Sequence, residues 1–215
     1  METKEILKHV DHTLLLQGST WDEIKQICDD AMEYKTASVC IPPCYVRQAA
    51  EYMGEKVAVC TVIGFPNGNT TTAAKIFETK DALSNGASEI DMVINIGRLK
   101  DKEYDYVESE KREIKEAIGE NILKVIIETC LLTDEEKIKA CELSVAAGAD
   151  FVKTSTGFST GGATVTDVKL MAGTVGDKAK VKASGGIHTR EEALALIDAG
   201  ASRIGASKSI DICKE

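Results

Sequence analysis

The chain has 215 residues, of which 28% are charged, and a formal net charge of −9 at pH 7. This length suits one domain with a full hydrophobic core, and the acidic balance argues against a nucleic-acid partner. No apolar run approaches the ~20 residues of a membrane span, and residues 1–5 are too charged for a signal peptide, so we expect no membrane partner.

Short apolar segments rich in Val, Ile and Cys alternate with longer amphipathic segments along the chain. The apolar segments predict eight strands, at residues 10–14, 37–41, 57–63, 89–94, 123–128, 151–154, 181–184 and 203–206. The amphipathic segments predict seven helices, at residues 21–34, 43–53, 71–84, 104–118, 134–147, 166–174 and 190–199. Only residues 208–215 follow the last strand, which leaves room for a brief helix at most.

Start and stop signals support several of these helices. Capping-box spacing of Thr and Glu occurs at Thr20/Glu23, Thr133/Glu136 and Thr189/Glu192. A glycine that can adopt the left-handed conformation follows three helices, at Gly86, Gly148 and Gly200. The units repeat every ~25–35 residues without a linker or a shift in composition. We therefore predict an α/β protein with a (β/α)8 TIM barrel and a single domain over residues 1–215.

Two lysines, Lys153 and Lys182, occur where an apolar strand meets small, Gly-rich residues. The carboxyl ends of barrel strands carry the active site, so these amines and Asp91 are expected to converge there. Burial and a nearby second cation both favour a neutral amine, which can attack a carbonyl to form a Schiff base. Asp91 could then move protons. An internal salt-bridge network that fills the barrel is the alternative interpretation.

Glycines after the last three strands suggest a phosphate site. They lie in the segments Gly157–Gly162, Ser184–Gly186 and Gly205–Ser207. Backbone N–H groups in such turns bind phosphate, and in barrels the preferred place follows strands seven and eight. Tight turns without a ligand are the alternative. No GxGxxG or Walker A pattern occurs, which argues against a nucleotide.

Cysteines and histidines give little support for metal chemistry. The seven Cys residues are odd in number and form no CxxC pair, which favours reduced thiols in a cytoplasmic protein. The three histidines, His9, His12 and His188, share no metal-ligand spacing, so we expect no metal and no other cofactor. Cys40, near a strand end, is a candidate for modification by aldehydes.

Four segments carry a resemblance to a known family. They are Val62–Gly68 (VIGFPNG), Glu89–Gly97 (EIDMVINIG), Phe151–Phe158 (FVKTSTGF) and Val181–Ile187 (VKASGGI). In their order and strand placement the chain resembles the 2-deoxyribose-5-phosphate aldolase family, class I aldolases on a (β/α)8 barrel, over nearly its whole length. The resemblance implies reversible cleavage of a phosphorylated sugar, 2-deoxy-D-ribose 5-phosphate, to D-glyceraldehyde 3-phosphate and acetaldehyde. It also implies a homo-oligomer, a dimer or tetramer.

The resemblance also implies roles for individual residues. Lys153 would form the Schiff base, Lys182 would favour its neutral form, and Asp91 would belong to the proton relay. The remaining implied residues are those of the phosphate site, Gly157, Gly185, Gly186 and Ser207, and two residues near the substrate, Asp11 and Thr13.

Two departures from the family pattern stand out. Lys208 replaces a serine that many members carry after the residue matching Ser207. No Tyr follows Tyr106, so the resemblance does not extend to the C-terminal Tyr that helps to move protons in some members, and a step assisted by the tail stays open.

Two other functions stay open at this point. A different Schiff-base aldolase could act on another phosphorylated aldehyde or ketose, and a non-catalytic barrel could bind sugar phosphates without forming an adduct. A metal-dependent aldolase fits the few histidines poorly.

Overall fold

A closed barrel of eight parallel strands forms the centre of the protein in a computed structural model, which describes residues 2–214. The strands are β1 Val10–Thr13, β2 Ser38–Cys40, β3 Ala58–Ile63, β4 Glu89–Val93, β5 Ile122–Ile126, β6 Phe151–Lys153, β7 Lys180–Ser184 and β8 Arg203–Ala206. Each strand pairs in parallel with the next along the chain, and β8 closes the barrel by pairing with β1. The predicted (β/α)8 barrel is therefore confirmed.

Helices surround the barrel. They are α1 Thr3–Leu7, α2 Trp21–Tyr34, α3 Val46–Met53, α4 Thr72–Ser84, α5 Ile96–Lys100, α6 Tyr104–Ile118, α7 Asp134–Ala146, α8 Val165–Val175, α9 Arg190–Asp198 and α10 Ser209–Lys214. All seven predicted helices are present, although the first three residues of the second form a 3₁₀ turn, Pro43–Tyr45. Periodicity does not predict α1 and α5, because five residues are too few to show it. Within residues 2–214, no helix has the length and apolar character needed to cross a membrane.

The helix ends follow the sequence signals. In each of the three capping boxes, the Thr side chain accepts a hydrogen bond from the Glu backbone N–H, and the Glu side chain accepts one from the Thr backbone. Gly86, after α4, has φ 103°, and a Cβ there would lie 2.7 Å from the Cβ of Ala50. Glycine is therefore required at this helix exit by both backbone and space.

Side chains along each strand alternate between two environments. In β4, Ile90 and Met92 pack in the main hydrophobic core between strands and helices, whereas Asp91 faces the barrel axis and meets Lys124 from β5. The alternation follows from the two-residue period of a strand. Apolar packing between the strands and the surrounding helices stabilises the fold, while the side chains that face the barrel axis include charged groups.

Candidate active site

Seven ionisable side chains fill the barrel interior. They are three carboxylates, Asp11, Glu89 and Asp91, and four basic groups, Lys124, Lys153, Lys182 and Arg203. We call this set the interior network. Strand pairing aligns Lys153 with Lys182 and Lys182 with Arg203, while Asp91 is aligned with Lys124.

Lys153 and Lys182 contact the same oxygen of Asp91. Their Nζ atoms lie 2.8 Å and 2.7 Å from Oδ2. The two amines therefore lie within two hydrogen-bond lengths of each other. Lys153 is the last residue of β6, as the sequence predicts, whereas Lys182 is the third of the five residues of β7 and not its end. Lys153 is 2% exposed, and the other two residues are fully buried.

Lys124 completes the surroundings of Asp91, and the sequence reasoning missed it. Its Nζ lies 2.8 Å from Oδ1 of Asp91, 2.6 Å from Oε2 of Glu89 and 3.2 Å from Sγ of Cys60. The signal was available, because Lys124 is a charged residue between apolar neighbours of a strand, as Lys182 is.

Asp11 lies within the network rather than on the wall of a cavity. Its Oδ2 contacts Nζ of Lys182 at 2.5 Å, and its Oδ1 accepts hydrogen bonds from Arg203 and, at 2.7 Å, from the hydroxyl of Ser38. Arg203 also lies 3.2 Å from Oε2 of Glu89. Asp11 can thus act on the substrate only through Lys182 and its other network partners.

The network keeps Asp11 and Asp91 ionised. Burial alone would raise the pKa of Asp91, but Lys124, Lys153 and Lys182 outweigh it and hold the pKa well below its usual range. Burial would also raise the pKa of Asp11, but Lys124, Lys182 and Arg203 outweigh it and lower that pKa. Burial would lower the pKa of Lys182, yet the carboxylates of Asp11 and Asp91 raise it above its usual range. Lys182 is therefore a permanent cation at neutral pH.

A cavity of about 730 Å³ opens above the network at the carboxyl ends of the strands. Of the seven network side chains, Lys153 alone is among the lining residues of this cavity. Thr13 also lines the cavity, and its hydroxyl donates to the backbone oxygen of Asp11 at 2.7 Å. A ligand in the cavity would meet one amine of the network, that of Lys153, with the rest of the network behind it.

The glycine turns form another part of the cavity wall. Gly157, Gly185 and Gly186 all line it and have φ values of 84°, 82° and 72°. Ser207 and Lys208, which follow β8, also line it and are exposed. Residues with a side chain rarely adopt positive φ, whereas glycine does so readily. Turns of this kind, without side chains in the way, can present their backbone N–H groups to an anion. All four residues expected at a phosphate site share this wall.

An apolar rim borders the same cavity. It consists of Leu14, Leu15 and Leu16 after β1, together with Phe158 and Ile187. Phe158 is 42% exposed and meets Phe65 edge-to-face with ring centroids 5.3 Å apart. Sequence reasoning did not single out these residues, because loop apolar residues carry no periodic signal.

Cys40 and Cys60 are aligned on β2 and β3 and are fully buried. A hydrogen bond with Cys60 lowers the pKa of Cys40, and burial raises the pKa of Cys60. Two sets of side chains have the spacing of metal ligands: Cys40, Cys60 and Asp91, and Asp11, Cys60 and Glu89. Lys124 contacts the three acids and Cys60, so a metal ion would have to compete with its ammonium group. Reaction of Cys40 with aldehydes stays a prediction.

The two histidines near strand ends differ in position. His12 is buried between β1 and α10, where Nδ1 shares a hydrogen bond with the hydroxyl of Ser209 at 2.7 Å. Burial lowers the pKa of His12. His188 lines the cavity, and its backbone N–H donates to Glu192 at 2.7 Å at the start of α9.

Comparison with known proteins adds the family. Residues 5–214 match the DeoC/LacD family of aldolases. A deoxyribose-phosphate aldolase of Streptococcus pyogenes is 59% identical over 214 residues, which cover 100% of this chain and 96% of that protein. One of Finegoldia magna is 61% identical over 209 residues, covering 97% and 98%.

A solved structure agrees with these relatives. The tetrameric deoxyribose phosphate aldolase from Aeropyrum pernix superimposes with a TM-score of 0.90 at 30% identity, covering 99% of this chain and 91% of that one. The match extends over the barrel and over every strand that contributes to the network and the cavity. The chain therefore belongs to the DeoC/LacD family of aldolases.

Proposed function

We propose that the protein is a deoxyribose-phosphate aldolase that cleaves 2-deoxy-D-ribose 5-phosphate to D-glyceraldehyde 3-phosphate and acetaldehyde through a Schiff base on Lys153. Relatives with this name at about 60% identity support the reaction. The observation that carries the mechanism is the position of Lys153, the one network amine on the cavity wall.

The charge count of the network supports Lys153 as the nucleophile. Three carboxylates face four basic groups, so one basic group can lose its proton and leave a balanced set. Lys153 forms an ion pair with one carboxylate of the network, whereas Lys124, Lys182 and Arg203 each have two or more. Lys153 thus has the fewest ion pairs of the four basic groups, and it is also the network amine that a substrate in the cavity can reach.

The first half of the reaction forms the iminium. The neutral amine of Lys153 attacks C1 of the open-chain aldehyde, and the carbinolamine loses water. Lys182, held as a cation by Asp11 and Asp91, keeps a positive charge beside the nitrogen throughout. Lys182 does not line the cavity, so it does not compete for the carbonyl.

Bond cleavage follows from the iminium as an electron sink. The C3 hydroxyl loses its proton, the C2–C3 electrons move to the iminium, and D-glyceraldehyde 3-phosphate leaves. The enamine then takes a proton at C2, and hydrolysis releases acetaldehyde. We assign the proton relay to Asp91 acting through a water molecule, because its Oδ2 contacts the amines of both Lys153 and Lys182 directly behind the cavity wall. The iminium accepts the electrons, so the proposed reaction uses no cofactor.

The substrate would lie with its phosphate at the glycine wall and its aldehyde at Lys153. Gly157, Gly185, Gly186 and Ser207 would bind the phosphate through backbone N–H groups and a hydroxyl. The apolar rim would exclude water from the enamine.

Borohydride trapping tests this proposal. With 2-deoxy-D-ribose 5-phosphate and borohydride, mass spectrometry should locate a reduced adduct on Lys153. With the same substrate and no borohydride, the enzyme should release acetaldehyde. Lys153→Ala should form neither. An adduct on another residue, or full turnover by Lys153→Ala, would refute the mechanism. A sugar-phosphate-binding barrel without catalysis would bind the substrate and give no adduct.

We also propose that the protein acts as a homo-oligomer in the cytoplasm. The named tetrameric relative supports assembly, and six free cysteines among the described residues suit a reducing compartment. Light scattering in reducing buffer tests the first proposal, since a monomer at micromolar concentration would contradict it.

A further inference from the structure

Glu128, just after β5, has a backbone conformation that residues other than glycine rarely adopt. Its φ and ψ are 55° and 67°, in the left-handed region, and its side chain is 2% exposed. Such a conformation costs free energy at a residue other than glycine and persists where the surrounding structure requires it. The side chain must therefore offer something that glycine cannot.

The carboxylate of Glu128 binds a residue of the loop that follows β6. The backbone N–H of Thr156 donates to Oε1 at 3.2 Å, and the Thr156 hydroxyl donates to Oε2. That hydroxyl in turn accepts a hydrogen bond from the backbone N–H of Phe158 at 3.0 Å. Within residues 2–214, Glu128 forms no ion pair with a Lys or Arg at 4.0 Å or less. The carboxylate of Glu128 therefore accepts its hydrogen bonds from Thr156, whose hydroxyl is in turn bonded to Phe158.

Residues next to Glu128 hold the same loop further along. The backbone N–H of Thr129 donates to the oxygen of Thr154 at 2.9 Å. The thiol of Cys130 donates to the Ser159 hydroxyl at 3.5 Å. A Cβ built at Gly161 would lie 2.9 Å from the Cβ of Cys130, so the two residues are in close contact. The turn after β5 thus supports the loop at several points between residues 154 and 161.

This loop carries part of the cavity wall. Thr156, Gly157 and Phe158 line the cavity, whereas Glu128 does not. Gly157 has φ 84°, and nothing lies within 4 Å of a Cβ built there, so this side of the glycine is open. The hydrogen bonds of Thr156 on one side and Phe158 on the other fix this glycine.

We propose that Glu128 is a positioning residue for recognition of the substrate phosphate: through Thr156 it fixes the loop that presents Gly157 to the cavity. The inference rests on the proposed function in one respect, namely that the phosphate binds at the glycine wall. Glu128 acts through the loop and does not touch the substrate. Its loss should weaken binding of the phosphorylated sugar and leave the chemistry at Lys153 intact.

Glu128→Gly is the sharpest test, because it removes the carboxylate and relieves the backbone conformation at once. We expect a melting temperature equal to or above that of the wild type, together with a KM for 2-deoxy-D-ribose 5-phosphate raised about tenfold or more. The kcat should change less than about threefold. With unphosphorylated 2-deoxy-D-ribose, kcat/KM should stay within about twofold of wild type.

Three further variants separate positioning from general damage. Glu128→Gln keeps one acceptor oxygen and should restore part of the lost affinity. Thr156→Val keeps the backbone N–H but loses the bridging hydroxyl, so its KM should fall between those of wild type and Glu128→Gly. Glu135→Ala, at an exposed position in the first turn of α7, is the control and should match wild type.

Two results would overturn the proposal. One is an unchanged KM for the phosphorylated sugar in Glu128→Gly. The other is an equal loss with both sugars, which would place Glu128 in the chemistry or in general stability. Borohydride trapping of wild type with unphosphorylated 2-deoxy-D-ribose separates this proposal from the proposed function. An adduct on Lys153 supports the aldolase reaction whether or not Glu128 positions the loop.

Discussion

Gly205 leaves the space that the side chain of Lys182 occupies. A Cβ built at Gly205 would lie 3.1 Å from Cε of Lys182 and 3.0 Å from Cβ of Ser184. The two residues come from neighbouring strands, β8 and β7, and Lys182 is fully buried. The position of its ammonium group between Asp11 and Asp91 therefore depends on the absence of a side chain opposite.

Gly205→Ala should consequently reduce activity more than stability. The added methyl group forces Lys182 to shift by a few tenths of an ångström, which disturbs its contacts with both carboxylates. We expect kcat to fall about tenfold, since catalysis is sensitive to small displacements. Gly18→Ala is the matched control, because nothing lies within 4 Å of a Cβ there. Equal kcat values for the two variants in a steady-state assay would contradict the expectation.

Lys182→Met should impair the chemical step strongly. It removes the permanent cation beside Lys153 and leaves Asp11 and Asp91 with one fewer partner each. We expect kcat to fall about 10²–10³-fold, within the range found when one preorganised electrostatic group is lost. Single-turnover kinetics with borohydride quenching should show slower formation of the adduct on Lys153.

The control for this variant lies on the same strand. Lys180 is exposed and has its Nζ 5.6 Å from the ring centroid of Phe151, outside the network. Lys180→Met should keep kcat within about twofold of wild type. Adduct formation by Lys182→Met at the wild-type rate would show that Lys182 does not assist Lys153.

The residues that follow each lysine in the sequence determine which network lysines could be predicted. Lys153 and Lys182 stand where apolar strands meet small residues, and the barrel rule places such ends at the active site. Lys124 is followed by Val125 and Ile126 rather than by small, Gly-rich residues, so the same rule does not select it. Its inward direction depends on register with Asp91, which sequence periodicity alone does not provide.

Residues that act through other residues were harder to predict than those that line the cavity. Glu128 looked like the end of a strand, but the strand ends at Ile126 and the backbone turns at Glu128 itself. Its partner Thr156 is 28 residues away, and no local pattern links the two. Asp11 was assigned near the substrate, whereas its contacts with Lys182 and Arg203 place it inside the network.

Lys208→Ser tests the departure from the family pattern at the phosphate site. Lys208 is exposed on the cavity wall next to Ser207, so its charge should add a modest, salt-dependent attraction for phosphate. We expect KM for the phosphorylated sugar to rise about two- to fivefold at low ionic strength and less at high salt. Lys178→Ser, at an exposed site away from the cavity lining, should leave KM unchanged at both salt concentrations.

Lys111 predicts a pH dependence of stability that is independent of the active site. It is fully buried in α6, where Nζ donates to the oxygen of Ala140 at 3.3 Å, and burial lowers its pKa to about 7. The unfolded chain, with a pKa near 10.4, binds the proton more tightly, so stability rises with pH between about 7 and 10. Below pH 7 the full destabilisation is present, because both states are then protonated.

Lys111→Met should therefore be more stable than wild type at pH 7, and the difference should shrink as pH rises. We expect it to decrease by up to about 1.4 kcal/mol per pH unit above pH 7, as measured by urea unfolding from pH 6 to 10. Lys80→Met, at an exposed position of α4, should show no such trend. A constant difference between Lys111→Met and wild type across this range would mean that Lys111 keeps its proton in the folded protein, stabilised by Glu110 and the oxygen of Ala140 despite its burial.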